Sequence, residues 1–381
     1  MTTFTFTRTD NSIVSRWWWT VDRWAIIALT MLIVMGMVLT LAASPAVAER
    51  IGVDPFHFVR RQIAFLVPSV AAMFAISLMS PEQVRRFATL AFLGTLAALV
   101  ATLVIGAEIK GSRRWIGLGP LSVQPSEFVK PAFIVVSGWL LAERQRNPRF
   151  PGNLLSAMVY LFVVAILLMQ PDFGQTILIS AMWGIQLFVA GLPMVIVLVL
   201  GAIGTVGAVG AYFLLPHVAS RIDRFLNPEA GDNYQIERAM DAFMSGGVWG
   251  RGPGEGTVKR ILPDAHTDFI FAVAGEEFGM VACLAVVLIF AFIVLRILSR
   301  LLQENDPFVL YAGVGLTVQF GLQAFINMGV NLHLLPAKGM TLPFISYGGS
   351  SMLALAFGMG MLLALSRTRP GVGSVMGGGY R

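Results

Sequence analysis

GRGPGEGTVKRILPDAHTDFIFAVAGEEFG, residues 250–279, passes from a glycine-rich, charged loop straight into an apolar helix. Asp268 stands at the border beside His266 and Thr267, and Glu276 and Glu277 follow inside sequence apolar enough to be embedded in a membrane. Ionisable side chains are costly in a bilayer and persist where they pair, face water or carry chemistry. A chain that otherwise keeps charge out of its apolar runs therefore has a reason to place acids here. Asp268 is the candidate catalytic residue of a membrane enzyme.

The rest of the chain agrees with that membrane setting. Of 381 residues, 56% are hydrophobic and 13% charged, and the mean hydropathy is +0.75; this composition specifies a polytopic membrane protein. The formal charge of +6 comes without any basic run, so nucleic-acid binding is not expected. The single cysteine, Cys283, excludes an internal disulfide framework. The four histidines, His57, His217, His266 and His333, match no metal-ligand spacing. The first apolar run lacks a small-residue cleavage site and is expected to stay as a signal anchor.

A spanning helix needs about 20 apolar residues. On that measure the candidate spans are 24–43, 62–79, 87–107, 128–142, 153–169, 173–190, 192–215, 269–298, 307–332 and 343–366. The expected fold is thus all-α and polytopic, with about ten transmembrane helices and a large extracytoplasmic loop, 216–268, between the seventh and eighth. Breaks at Gln170-Pro171-Asp172 and at Gly191 divide adjoining spans, and counts of nine or eleven fit the same sequence. Arg85-Arg86, Arg144, Arg146, Arg149, Arg296, Arg300, Arg367 and Arg369 favour cytoplasmic N- and C-termini by the positive-inside rule. The segments are then a cytoplasmic 1–23 carrying Trp17-Trp18-Trp19, a transmembrane domain 24–366, and a cytoplasmic tail 367–381.

Within the long loop, Ile236, Ala239, Met240, Phe243 and Met244 fall at helical spacing between polar residues. They predict an amphipathic helix on the membrane surface or capping the bundle. GRGPGEG does not follow a strand and lacks the dinucleotide-binding spacing; it reads either as a movable lid or as a plain turn.

Each polar position has a functional and a structural reading. Asp268 could simply cap the eighth helix. Glu276 lies two turns on, rotated by about 80° at 100° per residue, so it can face one cavity with Asp268; Glu277 points away and reads as structural. In the loop 108–130, Lys110, Arg113, Arg114 and Lys130 can present cationic donors to a diphosphate, or anchor an interface. Gln124-Pro125-Ser126-Glu127 reads as a helix start with Ser126 as cap, and Glu127 and Lys130 can pair at i,i+3. Asp172 reads first as the cap of the sixth span. Lys338 and the run through Ser350 and Ser351 either pack closely or line a substrate path.

Four stretches, KGSRRWIGLGPLSVQPSEFVKP (110–131), QPDFGQT (170–176), LPDAHTDFIFAVAGEEFG (262–279) and LPFISYGGSSM (342–352), together resemble the SEDS family of cell-wall polymerases. Its division, elongation and sporulation branches are FtsW, RodA and a sporulation paralogue. GRGPGEG, the run Asp232-Asn233-Tyr234-Gln235 and the polar N-terminal extension are more similar to the FtsW branch. Arg260 stands where some members of that branch carry an acid, and Asp264 replaces the more usual Glu.

The resemblance implies a peptidoglycan glycosyltransferase acting on lipid II at the division septum of the bacterial inner membrane. It implies Asp268 as general base on the acceptor 4-hydroxyl, with undecaprenyl diphosphate leaving. A divalent cation, magnesium or manganese, is an expected aid to the leaving group. Substrate contacts are expected from Lys110, Arg113, Arg114, Gln124, Ser126, Glu127, Lys130, Asp172, His266, Thr267, Glu276, Lys338, Ser350 and Ser351. A class B penicillin-binding protein and other division proteins are the implied partners. A lipid II flippase, the elongation-type polymerase and a non-catalytic scaffold are the alternatives.

Overall fold

A computed structural model of the chain describes residues 12–109, 112–119, 121–214, 216–226, 234–336 and 339–368. A short helix α1 (Ile13–Thr20) precedes α2 (Arg23–Ile51), α3 (His57–Ser77) and α4 (Pro81–Ile105). Three strands follow, β1 (Ala107–Ile109), β2 (Ser112–Leu118) and β3 (Leu121–Val123), then α5 (Pro125–Arg146), α6 (Gly152–Met169), α7 (Phe173–Val189) and α8 (Met194–Leu214). The long loop holds α9 (Pro216–Leu226) and α10 (Tyr234–Gly246), and α11 (Ile270–Leu301), α12 (Pro307–Asn331) and α13 (Gly349–Leu365) complete the chain.

Every predicted span falls on a helix, because backbone N–H and C=O groups in lipid must be satisfied within the segment. Among the described residues, α2, α3, α4, α6, α8, α11 and α12 are long and apolar enough to cross a membrane, while α7 and α13 are apolar but shorter. The protein is a helical, polytopic membrane protein. Element boundaries differ from the sequence reading where side chains intervene. The predicted fourth span was short; α5 is 22 residues long because its buried face tolerates Glu127 and Lys130. The predicted tenth span begins late, at Gly349, because residues 339–348 are tied to other loops by hydrogen bonds.

Local signals fix the starts. Asp22 caps α2 by accepting from the N–H groups of Trp24 and Ala25 at 3.0 and 3.2 Å. Ser80 and Gln83 form a capping box on α4, with Pro81 in its first turn. At the same end of the bundle Arg296 and Arg300 each reach Asp22 at 2.8 Å, joining α2 to the far end of α11.

α5, α12 and α13 form the interior, with α5 against α4 and α12, and α13 against α3 and α5. These helices are buried nearly all round, as an interior helix must be. Gly138 lets α5 approach α12 closely: a Cβ there would lie 2.8 Å from the Ala312 backbone nitrogen. α8 stands at the edge beside α7 and α9.

The segment 108–130, read from sequence as an irregular loop, contains a three-stranded antiparallel sheet in the order β1–β2–β3. Ile116 pairs with Val123 and Leu118 with Leu121 across a tight turn, where Gly119 takes φ 65°. The sheet gives the polar segment internal backbone partners and packs against α4, α5 and the region of α13.

Candidate active site

Asp268 lies just before α11, half-buried, where α11 meets the end of α12 and the loop preceding α13. Its main-chain carbonyl accepts two side-chain amides, from Asn327 at 2.9 Å and Asn331 at 2.8 Å. Both asparagines are buried. Asn331 also accepts from the Ala272 N–H at 3.2 Å, and Asn327 donates to the Met340 carbonyl at 2.6 Å. The start of α11 is thus clamped to α12 and to the 339–348 loop at once. The carboxylate itself faces Gly339, where a Cβ would stand 3.2 Å from Oδ2. Any larger residue at 339 would crowd the candidate base.

The residues beside Asp268 serve this framework. Ser346 donates to the Thr267 carbonyl at 2.6 Å and accepts from the Leu342 N–H at 2.8 Å. The Thr267 hydroxyl donates to the Asp264 carbonyl at 3.1 Å, closing the turn in which Asp264 takes φ 52°. His266 is buried between Phe58 and Tyr347, with ring centroids 4.2 and 5.3 Å away, and its carbonyl accepts the Tyr347 N–H at 2.9 Å. Burial pushes its pKa down to about 4; Asp264 opposes that shift and Arg50 adds to it. His266 is therefore neutral at neutral pH and packs the wall behind Asp268. Ser351 hydrogen-bonds Thr341 at 2.6 Å, and Ser350 is buried beside it.

A second polar cluster joins β2, α5 and the α6–α7 turn. Lys130, 1% exposed, pairs with Glu127 at 2.9 Å, and Gln175 donates to the other oxygen of Glu127 at 2.6 Å. Asp172 caps α7 by accepting from the Gln175 N–H at 3.4 Å. Arg114 lies 3.7 Å from Asp172 and donates to the carbonyls of Gln170 and Pro171 at 3.1 and 2.7 Å. The expected four-cation cradle thus differs in make-up. Arg114 and Lys130 are held by protein acceptors, and Lys110 and Lys338 lie outside the described residues, as do residues 1–11 and 369–381. Gln124, not Ser126, occupies the cap position of α5, because Pro125 takes the first helical position. The Ser126 hydroxyl is buried without a partner, as are Asp172 Oδ2 and Gln175 Oε1.

Glu276 does not share a cavity with Asp268. Its carboxylate accepts three backbone N–H groups, from Thr257 and Val258 at 2.6 Å and Lys259 at 2.9 Å. A Cβ on Gly256 would lie 2.9 Å from it. Rotation about α11 placed the two acids near each other, but the loop folds over Glu276 first. Glu277 pairs with buried Lys259, whose ammonium also reaches the Ala42 carbonyl at 3.0 Å.

GRGPGEG is not a free lid. α11 is broken at Gly279, φ 74°, and the loop fills the break. Arg251 and Gly252 donate to the carbonyls of Glu276 and Glu277 at 2.9 and 3.0 Å, while Met280 and Val281 donate to Gly247 and Val248 at 3.0 and 3.3 Å. Two carbonyls and two N–H groups beside the kink thereby gain partners from the loop. α10 caps the bundle with Ile236, Ala239, Ala242 and Gly246 buried, while Met240 and Met244, expected on its inner face, point outward.

The sequence reading passed over Asn327 and Asn331. They belong to a series of amides, Gln319, Gln323, Asn327 and Asn331, spaced four apart and all buried in α12. That spacing in an apolar span marks one polar stripe, and it was the available signal.

The family model for FtsW, RodA and SpoVE, described as cell cycle protein, matches residues 23–370. A probable peptidoglycan glycosyltransferase FtsW from Caulobacter vibrioides is 46% identical over 370 residues, covering 97% of this chain and 95% of that protein. Stage V sporulation protein E of Bacillus subtilis is 34% identical over 354 residues, covering 91% and 97%. A solved chain, from a structure on the coordination of polymerization and crosslinking by a peptidoglycan synthase complex, is similar with TM-score 0.76 and 28% identity, over 91% of this chain and 97% of that one. The rod shape determining protein RodA of Thermus thermophilus is similar with TM-score 0.67 and 27% identity, over 92% and 97%.

Proposed function

This chain belongs to the FtsW/RodA/SpoVE family of cell cycle proteins, and on that premise we propose that it builds septal glycan strands from lipid II with Asp268 as general base. It is an enzyme, a peptidoglycan glycosyltransferase. The observation that carries the assignment of Asp268 is its setting: a half-buried carboxylate whose backbone is held by Asn327 and Asn331. Such fixing is what a positioned base requires.

Asp268 takes the proton of the acceptor sugar's 4-hydroxyl. That oxygen attacks the anomeric carbon of the donor, the bond from this carbon to the diphosphate oxygen breaks, and undecaprenyl diphosphate departs. The leaving diphosphate gains from cationic donors, for which Arg113 in β2 and the flanking Lys110 and Lys338 are proposed. Arg114 and Lys130 are instead paired with Asp172 and Glu127. The donor chemistry around Asp268 does not form a metal cage: among the described residues no three His, Cys, Asp or Glu side chains gather. A magnesium or manganese ion would come held by the substrate's phosphates.

The reading places the loop 216–268 outside the cytoplasm, both termini inside, and the protein at the division septum with a class B penicillin-binding protein and other division proteins. Polymerisation of labelled lipid II by the purified protein with that partner, its transpeptidase blocked, tests the assignment. Strands from wild type and none from Asp268→Asn, with the complex still assembled, are expected. Equal activity in both removes Asp268 from the chemistry, and polymer from neither, with transport in liposomes, returns the flippase.

A further inference from the structure

The end of α10 and the loop after it turn an apolar edge outward. Met244 and Trp249 are each 81% exposed and Val248 is 47% exposed. We propose that this edge, residues 244–249, is a membrane anchor that dips into the leaflet opposite the Asp22–Arg296–Arg300 cluster.

Its height follows from α11. Arg296, paired with Asp22, marks one end of the span. A hydrocarbon core of about 30 Å takes about 20 residues at 1.5 Å each, which brings the other edge to the neighbourhood of Glu276. Met280 and Val281, whose N–H groups bond the carbonyls of Gly247 and Val248, lie just inside that edge. Val248 and Trp249 are held beside them. On the spanning part of α11, Met280, Val281 and Leu284 are themselves exposed, so they face lipid. The backbone bonds from Met280 and Val281 to Gly247 and Val248 tie the loop's exposed apolar residues to this lipid-facing surface. Tryptophan is enriched at this level of a bilayer, often with a neighbouring cation, and Arg251 is exposed two residues on.

Lipid is favoured over a protein partner because the edge joins a surface that lipid must already cover. The anchor also has a mechanical consequence. The loop it secures is the one that fills the break at Gly279 and wraps Glu276. Nine residues of α11, Ile270 through Phe278, separate that break from Asp268, and at 1.5 Å per residue they raise the carboxylate by about 14 Å. Seating the loop in the interface fixes the height of Asp268 above the hydrocarbon.

Site-directed spin labelling of the full chain in phosphatidylethanolamine–phosphatidylglycerol nanodiscs tests this, in a Cys283→Ser background. Labels are placed by Trp249→Cys, by Leu284→Cys as the lipid reference, and by Glu255→Cys as the water reference. Collisions with oxygen are expected to exceed those with a nickel chelate at 249, as at 284, at a depth of about 5–10 Å below the headgroup boundary. Met244→Cys gives the same reading should Trp249→Cys fail to fold. A label at 249 and 244 that behaves like the one at 255 overturns the anchor. So does shielding that arises only after a partner protein is added, which would make the edge a protein-docking surface.

Discussion

Asn331 donates its side-chain amide to the main-chain carbonyl of Asp268 at 2.8 Å. The same side chain accepts the Ala272 N–H, so one buried amide on α12 ties both Asp268, two residues before α11, and the helix's first turn. Asn331→Leu keeps the number and branching of side-chain heavy atoms and removes these two bonds together with a third, to the Asn327 carbonyl, leaving the Ala272 N–H and one Asp268 acceptor bond unsatisfied. A stability loss of about 1–3 kcal/mol is expected for the buried groups left unpaired. Strand formation is expected to suffer more than stability. A reacting group displaced by about 1 Å can lose about 100-fold in rate, so turnover should fall by about 10- to 100-fold with the KM for lipid II little changed. Melting of the purified protein and polymerisation across lipid II concentrations separate the two effects. Unchanged turnover would show that the carboxylate does not depend on this clamp.

The pair of Lys259 and Glu277 is buried where the loop carrying Lys259 packs on α11 beside its break. Removing one partner strands a charge, which costs about 3–5 kcal/mol, whereas replacing both with apolar or neutral groups costs far less. Lys259→Met is therefore expected to lower the melting temperature sharply, and Lys259→Met with Glu277→Gln to recover most of the loss. A double-mutant cycle of thermal unfolding in detergent measures the coupling. Additive losses would show that the two side chains act independently.

Apolar length and breaker residues made the helical membrane fold legible, and the border position of Asp268 made the candidate base legible. The intervening geometry was not, for physical reasons. Glu276 is placed by rotation about a helix axis, and no helical wheel shows that Thr257, Val258 and Lys259 will turn their N–H groups onto it. Gly279 reads as one more small residue in an apolar run, yet its backbone breaks the helix. The i,i+3 pairing of Lys130 with Glu127 was readable, but nothing in that segment showed that Gln175, from α7, would donate to the other Glu127 oxygen and bury the pair. Partner choice across distant segments decides each of these cases, and periodicity within one segment carries no record of it.

Gly279→Ala tests the break directly. A Cβ there would stand 2.3 Å from the Val248 carbonyl and 2.4 Å from the Gly250 nitrogen, on a backbone at φ 74°. Both the left-handed conformation and the lack of space oppose alanine, so the loss should exceed about 1 kcal/mol. Gly201→Ala in α8 is the control: nothing lies within 4 Å of its added carbon, and a change within about 0.5 kcal/mol is expected. Thermal unfolding compares the two, and limited proteolysis of the 247–256 loop should quicken only in Gly279→Ala. Equal behaviour would mean that the loop does not depend on this kink.

His266 gives the fold a calculable response to acid. Its pKa is lowered to about 4 by burial between Phe58 and Tyr347, against about 6.5 in an unfolded chain. Between these values the unfolded chain binds a proton that the folded one does not, so stability rises with pH through this window and is lost as pH falls from about 6.5 toward about 4. At about 1.4 kcal/mol per unit, the loss from this residue is bounded by about 3.5 kcal/mol. His266→Phe retains an aromatic ring in the stack and has nothing to protonate. Its melting temperature should therefore fall less than that of wild type between pH 7 and pH 4.5, a range set by those two pKa values. Above pH 6.5 the two proteins should show parallel pH dependence, because His266 is neutral in both states there. Parallel curves across the whole range would mean that the folded protein protonates His266 as readily as the unfolded chain does, and that the wall behind Asp268 admits water.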